Sequence, residues 1–139
     1  MKRIYPILLA FFCALAVTHA GASTILSRAE RLPEITIDGL NGFSLQELKL
    51  SAGKFYRLKI TSDGRDEYLV TSENGFFQSI FVNEVVINDL EIKTTNIWGL
   101  EYDDDGSIEV FFVPMRTGEY SIGIKGLIKD GFLTRISVH

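Results

Sequence analysis

Residues 56–61, Tyr-Arg-Leu-Lys-Ile-Thr, alternate apolar and polar side chains at every position. Successive side chains of a β-strand point to opposite faces of its sheet, so this stretch predicts a strand with Tyr56, Leu58 and Ile60 buried. The same alternation recurs at residues 120–125 and 135–138. The pattern therefore predicts a sheet protein with one buried face per strand.

Working outward, further strands are predicted at 35–37, 45–50 and 85–93, and Gly, Asn, Asp and Ser clusters separate the runs. Residues 108–113 are almost continuously apolar, which predicts a central strand covered on both sides. A single short helix is predicted at 76–82, because its phenylalanines and isoleucine recur at a spacing of four residues. The whole pattern indicates an all-β sandwich or barrel.

The chain of 139 residues has room for one domain. We expect that domain to span residues 35–139. Residues 23–34 are polar and predict a loose lead-in, and the sequence shows no internal repeat or interdomain linker.

Residues 1–22 have the features of a secretory signal peptide. Lys2 and Arg3 precede the apolar stretch 4–17, and cleavage is expected after Ala22 or after Ala20. The alternative is an uncleaved anchor helix, which Pro6 and the shortness of the apolar stretch disfavour. We therefore expect a periplasmic or secreted protein with no stable membrane insertion after signal cleavage.

The charge balance and the cysteine content of the chain argue against some classes of function. Hydrophobic residues make up 46% and charged residues 23%, with 14 basic against 18 acidic residues and a net charge of −4. This excess of acid argues against a nucleic-acid partner, which would require a basic surface. The single cysteine, Cys13, lies in the predicted signal peptide, so a disulfide within the chain is excluded.

Catalytic motifs are not found. After signal cleavage the one remaining histidine is His139, and the sequence has no CxxC or HExxH pattern. Gly123, Gly126 and Gly131 are spaced wrongly for a dinucleotide or phosphate loop. The sequence predicts no catalytic residue, no cofactor-binding residue and no enzyme. Paired carboxylates on different strands leave no spacing signature, so carboxylate catalysis stays an alternative.

An acidic run at residues 101–106 is the best candidate for cation binding. Glu101, Asp103, Asp105 and Gly106 match the first half of a calcium loop, but Phe112 stands where its final glutamate is needed. Asp105-Gly106 is also a hairpin signal. We expect a solvated hairpin turn, with a weak cation site as the alternative.

Three aromatic residues, Phe76, Phe77 and Trp98, have two interpretations. They either fill the core of a small sandwich or form an exposed surface for a protein partner.

Several segments of the sequence resemble cupredoxins, the blue copper proteins. Residues 43–54 and 56–60 are similar to the opening strands of that family. Residues 112–120, Phe-Val-Pro-Met-Arg-Thr-Gly-Glu-Tyr, resemble its strand-Pro-x-x-x-Gly-x-Tyr passage, and residues 131–138 resemble its close. The resemblance implies a Greek-key β-sandwich. It is closest to periplasmic cupredoxin-like domains without a blue copper centre, including those associated with iron uptake.

The resemblance also implies where copper ligands would stand. The first histidine is expected near residues 66–68, the cysteine at Ile124, the second histidine within 125–130 and the methionine at Phe132. All four places carry residues that do not bind copper in such sites. The strongest bond of a blue copper centre is to a thiolate, and the chain has no cysteine after the predicted signal cleavage. We therefore expect no metal ligand and no cofactor.

The leading hypothesis is therefore a periplasmic binding or accessory module without type 1 copper, acting through a periplasmic or membrane-complex protein. The alternative is a copper- or iron-handling protein with an atypical site built from Met115, His139 and carboxylates.

Overall fold

The computed structural model describes residues 28–139, so the predicted signal peptide and residues 23–27 lie outside it. Among the described residues, the framework is built from β-strands and one 3₁₀ turn, Ile128–Asp130. The strands are β1 (Glu30–Arg31), β2 (Ile35–Asp38), β3 (Gly42–Phe43), β4 (Glu47–Leu50), β5 (Tyr56–Asp63), β6 (Tyr68–Thr71), β7 (Ile80–Ile87), β8 (Leu90–Ile92), β9 (Gly99–Tyr102), β10 (Asp105–Pro114), β11 (Gly118–Ile124) and β12 (Leu133–Val138).

The strands form two mixed sheets. Sheet A has the order β3-β2-β5-β10-β7-β8, with β1 also paired to β5, and sheet B has the order β4-β12-β11-β6-β9. The chain crosses repeatedly between the sheets, for example from β5 to β6 and from β9 to β10. This arrangement is a Greek-key β-sandwich, and it confirms the predicted all-β fold.

The core lies between the two sheets. Both sheets contribute fully buried side chains, such as Ile35 and Ile60 from sheet A and Val70, Ile122 and Ile136 from sheet B. In β5 the burial alternates as the sequence predicts, with Tyr56, Leu58 and Ile60 inward. The alternation of apolar and polar residues is therefore enough to predict which side of β5 faces the core.

β10 is central, as predicted, because it pairs with β5 on one side and β7 on the other. Among the described residues, the second sheet covers only its inner face. Glu109 and Phe111 point to the outer face, where Arg57 forms an ion pair with Glu109 and lies 5.6 Å from the Phe111 ring centroid. The apolar run at 108–113 thus has an outer face covered by side chains of its own sheet.

The short helix predicted at 76–82 is wrong. Residues 73–78 form turns, and β7 begins at Ile80. Ser72 Oγ accepts a hydrogen bond from the Phe76 N–H at 2.6 Å, and Ser79 Oγ donates to the Gly75 carbonyl at 2.8 Å. These local bonds hold a turn that delivers the chain into β7, beside the central strand.

The single strand predicted at 85–93 is a hairpin. β7 and β8 are joined at Asn88 and Asp89, whose φ angles are 47° and 65°. Two successive left-handed residues are typical of the tight type I′ turn. A bulge at Asn83, where Phe111 pairs with Glu84 but Phe112 pairs with Val82, disrupts the alternation along β7.

Part of the predicted loose lead-in is also ordered. β1 lies within residues 23–34 and pairs in parallel with β5. β2 then pairs with the same strand further along, after Pro33. The two short strands flank one edge of β5 with a break between them.

Candidate functional site

One end of sheet B brings together three positions at which copper ligands would be expected. Tyr68 begins β6, Ile124 ends β11, and Phe132 precedes β12, and these three strands are neighbours in the sheet. The Ile124 N–H donates to the Phe132 carbonyl at 3.1 Å. Tyr68, Ile124 and Phe132 are 1%, 2% and 6% exposed. The position is closed to solvent by packed side chains.

Aromatic packing fills this end of the sandwich. The Tyr68 and Phe132 rings stack with centroids 6.3 Å apart, and Phe43 meets Phe132 edge-on at 6.3 Å. Such pairs contribute about 0.5–1.5 kcal/mol each beyond the burial of their area. We name Phe43, Tyr68, Ile124 and Phe132 the filled end.

The backbone is equally close here. The Phe43 N–H donates to the Gly131 carbonyl at 3.2 Å. At Gly42 φ is 84°, and an added Cβ would lie 2.7 Å from the Gly131 oxygen. Gly42 therefore permits both the left-handed backbone and the close approach. This contact seats the β2–β3 turn against the loop that precedes β12.

The polar tip of the filled end is anchored. Tyr68 Oη donates to Asp63 Oδ1 at 3.2 Å, and Asp63 also accepts from the Gly39 N–H at 2.9 Å and forms an ion pair with Arg65 at 3.1 Å. The Gly39 hydrogen bond is the main cause that lowers the pKa of Asp63. Burial, reinforced by the Asp63 charge, raises the pKa of the Tyr68 phenol. The tip is a neutral phenol held by a charged carboxylate.

The side chains of the filled end provide no thiolate, imidazole or thioether. The intervening loop, where the second histidine would stand, reads Lys-Gly-Leu-Ile-Lys-Asp at 125–130 and carries the 3₁₀ turn. Across residues 28–139, no group of three or more His, Cys, Asp and Glu side chains is arranged to hold a metal ion. The chemistry available at this end is apolar packing.

The acidic run is not the predicted hairpin. It connects β9 in sheet B to β10 in sheet A, so the chain changes sheets at residues 103–104. Glu101, Asp103 and Asp105 are exposed. The Asp105 N–H donates a hydrogen bond to Oδ1 of the neighbouring Asp104 at 2.8 Å. The run forms an acidic rim at the border between the sheets.

Met115 and His139 lie at the end of the sandwich opposite the filled end. The turn at residues 51–54 lies between them: the Gly53 N–H donates to the Pro114 carbonyl and the Ala52 N–H donates to the His139 carbonyl, both at 2.8 Å. Both side chains are exposed. The fold therefore places these two sequence candidates at one end of the molecule.

The three aromatic candidates separate. Phe76 and Phe77 are 1% and 3% exposed, and their ring centroids are 6.0 Å apart in the core. The partner-surface interpretation is therefore wrong for these two, because both side chains are buried. Trp98 is 64% exposed, with Lys125 Nζ 6.0 Å from its ring centroid. Of the three, only Trp98 is on the surface.

Sequence reasoning missed an open edge of the sandwich. β8 ends sheet A and β9 ends sheet B, and a shallow groove runs between them. Leu90 and Ile92 in β8 are 64% and 43% exposed. The Asn-Asp pair at 88–89 is the signal that predicts the hairpin and so a separate edge strand. We name the surface between β8 and β9 the open edge.

No helix among residues 28–139 is both long and apolar enough to cross a membrane.

Neither a family model nor a curated protein matches the sequence. Solved structures do match the fold. Auracyanin B is 16% identical over 81% of this chain and 91% of its own, with a TM-score of 0.54. A multi-copper oxidase from Pseudomonas thermotolerans is 14% identical, with 82% of this chain covered and a TM-score of 0.59. A multicopper oxidase from Campylobacter jejuni is 8% identical, with 80% covered and a TM-score of 0.54.

This chain spans 30% of the length of each of these two oxidases, but nearly the whole of auracyanin B. At these identities the likeness concerns the fold. Together with the two sheets and their strand order, it shows that the described residues have a cupredoxin-like fold.

Proposed function

We propose that this chain is an exported, non-catalytic accessory module that has no type 1 copper centre and acts through a protein partner. The filled end carries the proposal. At the end of the fold where copper would be expected, Tyr68, Ile124 and Phe132 are buried and packed. A copper ion there would require new ligands and the removal of well-packed side chains.

The partner role is supported by the exposed apolar surface. Trp98, Leu90 and Ile92 are exposed on elements that border one side of the molecule. Exposed large apolar side chains are candidates for contact with a partner, and tryptophan is enriched among the residues that dominate binding energy. Export is supported by the features of residues 1–22.

Metal content tests the first half of the proposal. We would express the full chain with its own leader and purify it without a polyhistidine tag. Copper, iron, zinc and calcium per chain would then be counted by mass spectrometry before and after incubation with each ion. We expect no stoichiometric metal and no thiolate-to-copper absorption. One copper per chain that survives dialysis would overturn the proposal.

A second candidate function, copper or iron handling at an atypical site, is favoured by the placement of Met115 and His139 at one end. Thioether and imidazole groups both bind copper. The test compares metal binding by the wild type with that of Met115→Leu and His139→Ala. Binding that both substitutions abolish would favour this function, and binding that neither affects would remove it.

Cross-linking tests the partner half. A photoreactive amino acid would be placed at Leu90, at Trp98 and, as a control, at the 75% exposed Leu40 in the β2–β3 turn, and irradiated in the native cells. We expect reproducible protein adducts from Leu90 or Trp98 and none from Leu40. A lack of adducts from all three positions would contradict a partner role.

A further inference from the structure

At the open edge the two sheets do not match in width. Among the described residues, β8 of sheet A has no strand of sheet B opposite it. In β8, Ile92 pairs with Val85 and Leu90 pairs with Ile87. Side chains that are directly opposite in an antiparallel pair share a face. Val85 is 4% exposed in the core, so Leu90 and Ile92 also point to the core side. They are exposed because sheet B ends at β9.

Strand β9 has room for a neighbour at this place. Among the described residues it pairs only with β6, and Gly99, Leu100 and Glu101 line the groove. The groove floor is apolar, with Ile87 and Ile97 half-buried against the core. An additional strand beside β9 would use its free backbone groups and cover the exposed side chains of β8.

The outer side of the same position is acidic. Leu100 and Tyr102 of β9 point inward, while Glu101 is exposed on the opposite face. Asp103, two residues further on, is also exposed, and residues 103–105 line the adjoining surface next to Ile87 and Ile108. A strand added here would place its outward side chains beside Glu101 and Asp103. Opposite charges at neighbouring cross-strand positions are stabilising and like charges are not.

We propose that the open edge binds an extended segment of a protein partner that adds to β9, with apolar side chains facing Leu90 and Ile92 and with Lys or Arg at the alternate positions. This inference rests on the proposed partner role and specifies its surface. A second copy of this chain is disfavoured as the occupant, because a two-fold pairing of this edge would bring two acidic rims together.

A designed peptide tests the chemistry directly. The probe is an acetylated, amidated peptide of alternating Lys and Val, seven residues long. Control peptides replace Lys with Glu or group the same residues into two blocks. Binding would be followed by amide chemical shifts and hydrogen exchange of the full-length mature protein. We expect the Lys-Val peptide alone to slow exchange at the β9 amides, Gly99–Tyr102.

Variants identify the surface. Leu90→Lys should weaken the binding of the Lys-Val peptide by about tenfold or more, since the apolar contact is lost and a like charge is added. Leu40→Lys, at another exposed leucine in the β2–β3 turn, should leave it unchanged. Glu101→Lys should weaken the binding by roughly threefold to tenfold. Glu119→Lys, on β11 of the same sheet, is its matched control.

The outcomes separate this inference from the proposed function. Peptide binding that shifts other amides, or that Leu90→Lys and Leu40→Lys affect equally, overturns the open edge as the site. No binding of the Lys-Val peptide overturns it as well. If cells yield adducts from Trp98 but none from Leu90, the partner role stands and this inference fails. Sedimentation that shows a dimer abolished by Leu90→Lys would assign the edge to a second copy and contradict it.

Discussion

Ile124 shows how much one residue decides in this molecule. It is 2% exposed at the end of β11, next to the carbonyl of Phe132. The resemblance to blue copper proteins places a thiolate ligand here, and the side chain present is a branched hydrocarbon. The residue therefore supports the fold by packing and has no group that binds a metal.

Substitution of Ile124 gives a graded test of that role. Ile124→Val should lower the free energy of unfolding by about 0.5–1.5 kcal/mol, as for other buried methylene deletions. Ile124→Asp should prevent cooperative folding, because an unpaired buried charge is strongly destabilising. Urea unfolding followed by circular dichroism measures both. An aspartate variant that unfolds at the wild-type midpoint would show that this position is exposed.

Turn chemistry governs the β7–β8 element. Asp89 has a φ of 65°, a region that glycine enters freely and that β-branched residues avoid. Asp89→Gly should therefore leave stability unchanged or raise it slightly. Asp89→Val should lower the free energy of unfolding by about 1–2 kcal/mol. Thermal unfolding of both variants decides the point, and equal losses in the two would contradict a left-handed requirement at residue 89.

At the element scale, sequence patterns predict a strand correctly where the burial of one face alone determines the pattern. Alternation predicted β5 because a single buried face sets its pattern. The helix at 76–82 was predicted from a four-residue spacing, and the turn formed instead because residues 80–87 pair with the central strand β10. The β7–β8 hairpin departs from the single strand predicted at 85–93, because the apolar residues on both sides mask the turn signal of Asn88 and Asp89.

The candidate site divides in the same way. The sequence alone is enough to identify Ile124 and Phe132 as non-ligands, because each apolar residue stands where the resemblance places a sulfur ligand. The packing of the Phe43 ring against Phe132 could not be predicted, because it joins residues far apart in the chain. The Tyr68–Asp63 hydrogen bond joins residues only five positions apart, but it depends on how the chain turns between β5 and β6. The open edge was equally hidden, since it depends on where sheet B ends.

The whole molecule should lose stability in acid. The hydrogen bond from Gly39 lowers the pKa of Asp63, and hydrogen bonds lower the pKa of Asp38 and Glu34 as well. A carboxyl whose pKa is lower in the folded state stabilises the fold above its unfolded pKa, about 3.9 for aspartate. That stabilisation disappears as the pH falls through the folded pKa.

Replacement of Asp63 should reduce this acid dependence. Asp63→Asn keeps an acceptor for Tyr68 but does not titrate, so its stability should decline less steeply below about pH 4. Urea midpoints measured from pH 7 to pH 2 compare the two slopes. Asp66→Asn is the control, as an exposed neighbouring aspartate that accepts from the Glu67 N–H and not from Gly39 or Tyr68. An unchanged acid slope in Asp63→Asn would contradict the assignment.

The place of β12 in sheet B has a consequence for how the chain acquires its structure. This strand lies between β4 and β11, and it pairs Arg135 with Glu47 in parallel. Sheet B is thus divided until residues 133–138 become available, however early its other strands are made. Contacts between such distant segments slow the folding search. During synthesis, β4 therefore has no partner in sheet B, and the sheet stays incomplete, until β12 has been made and has paired with both β4 and β11.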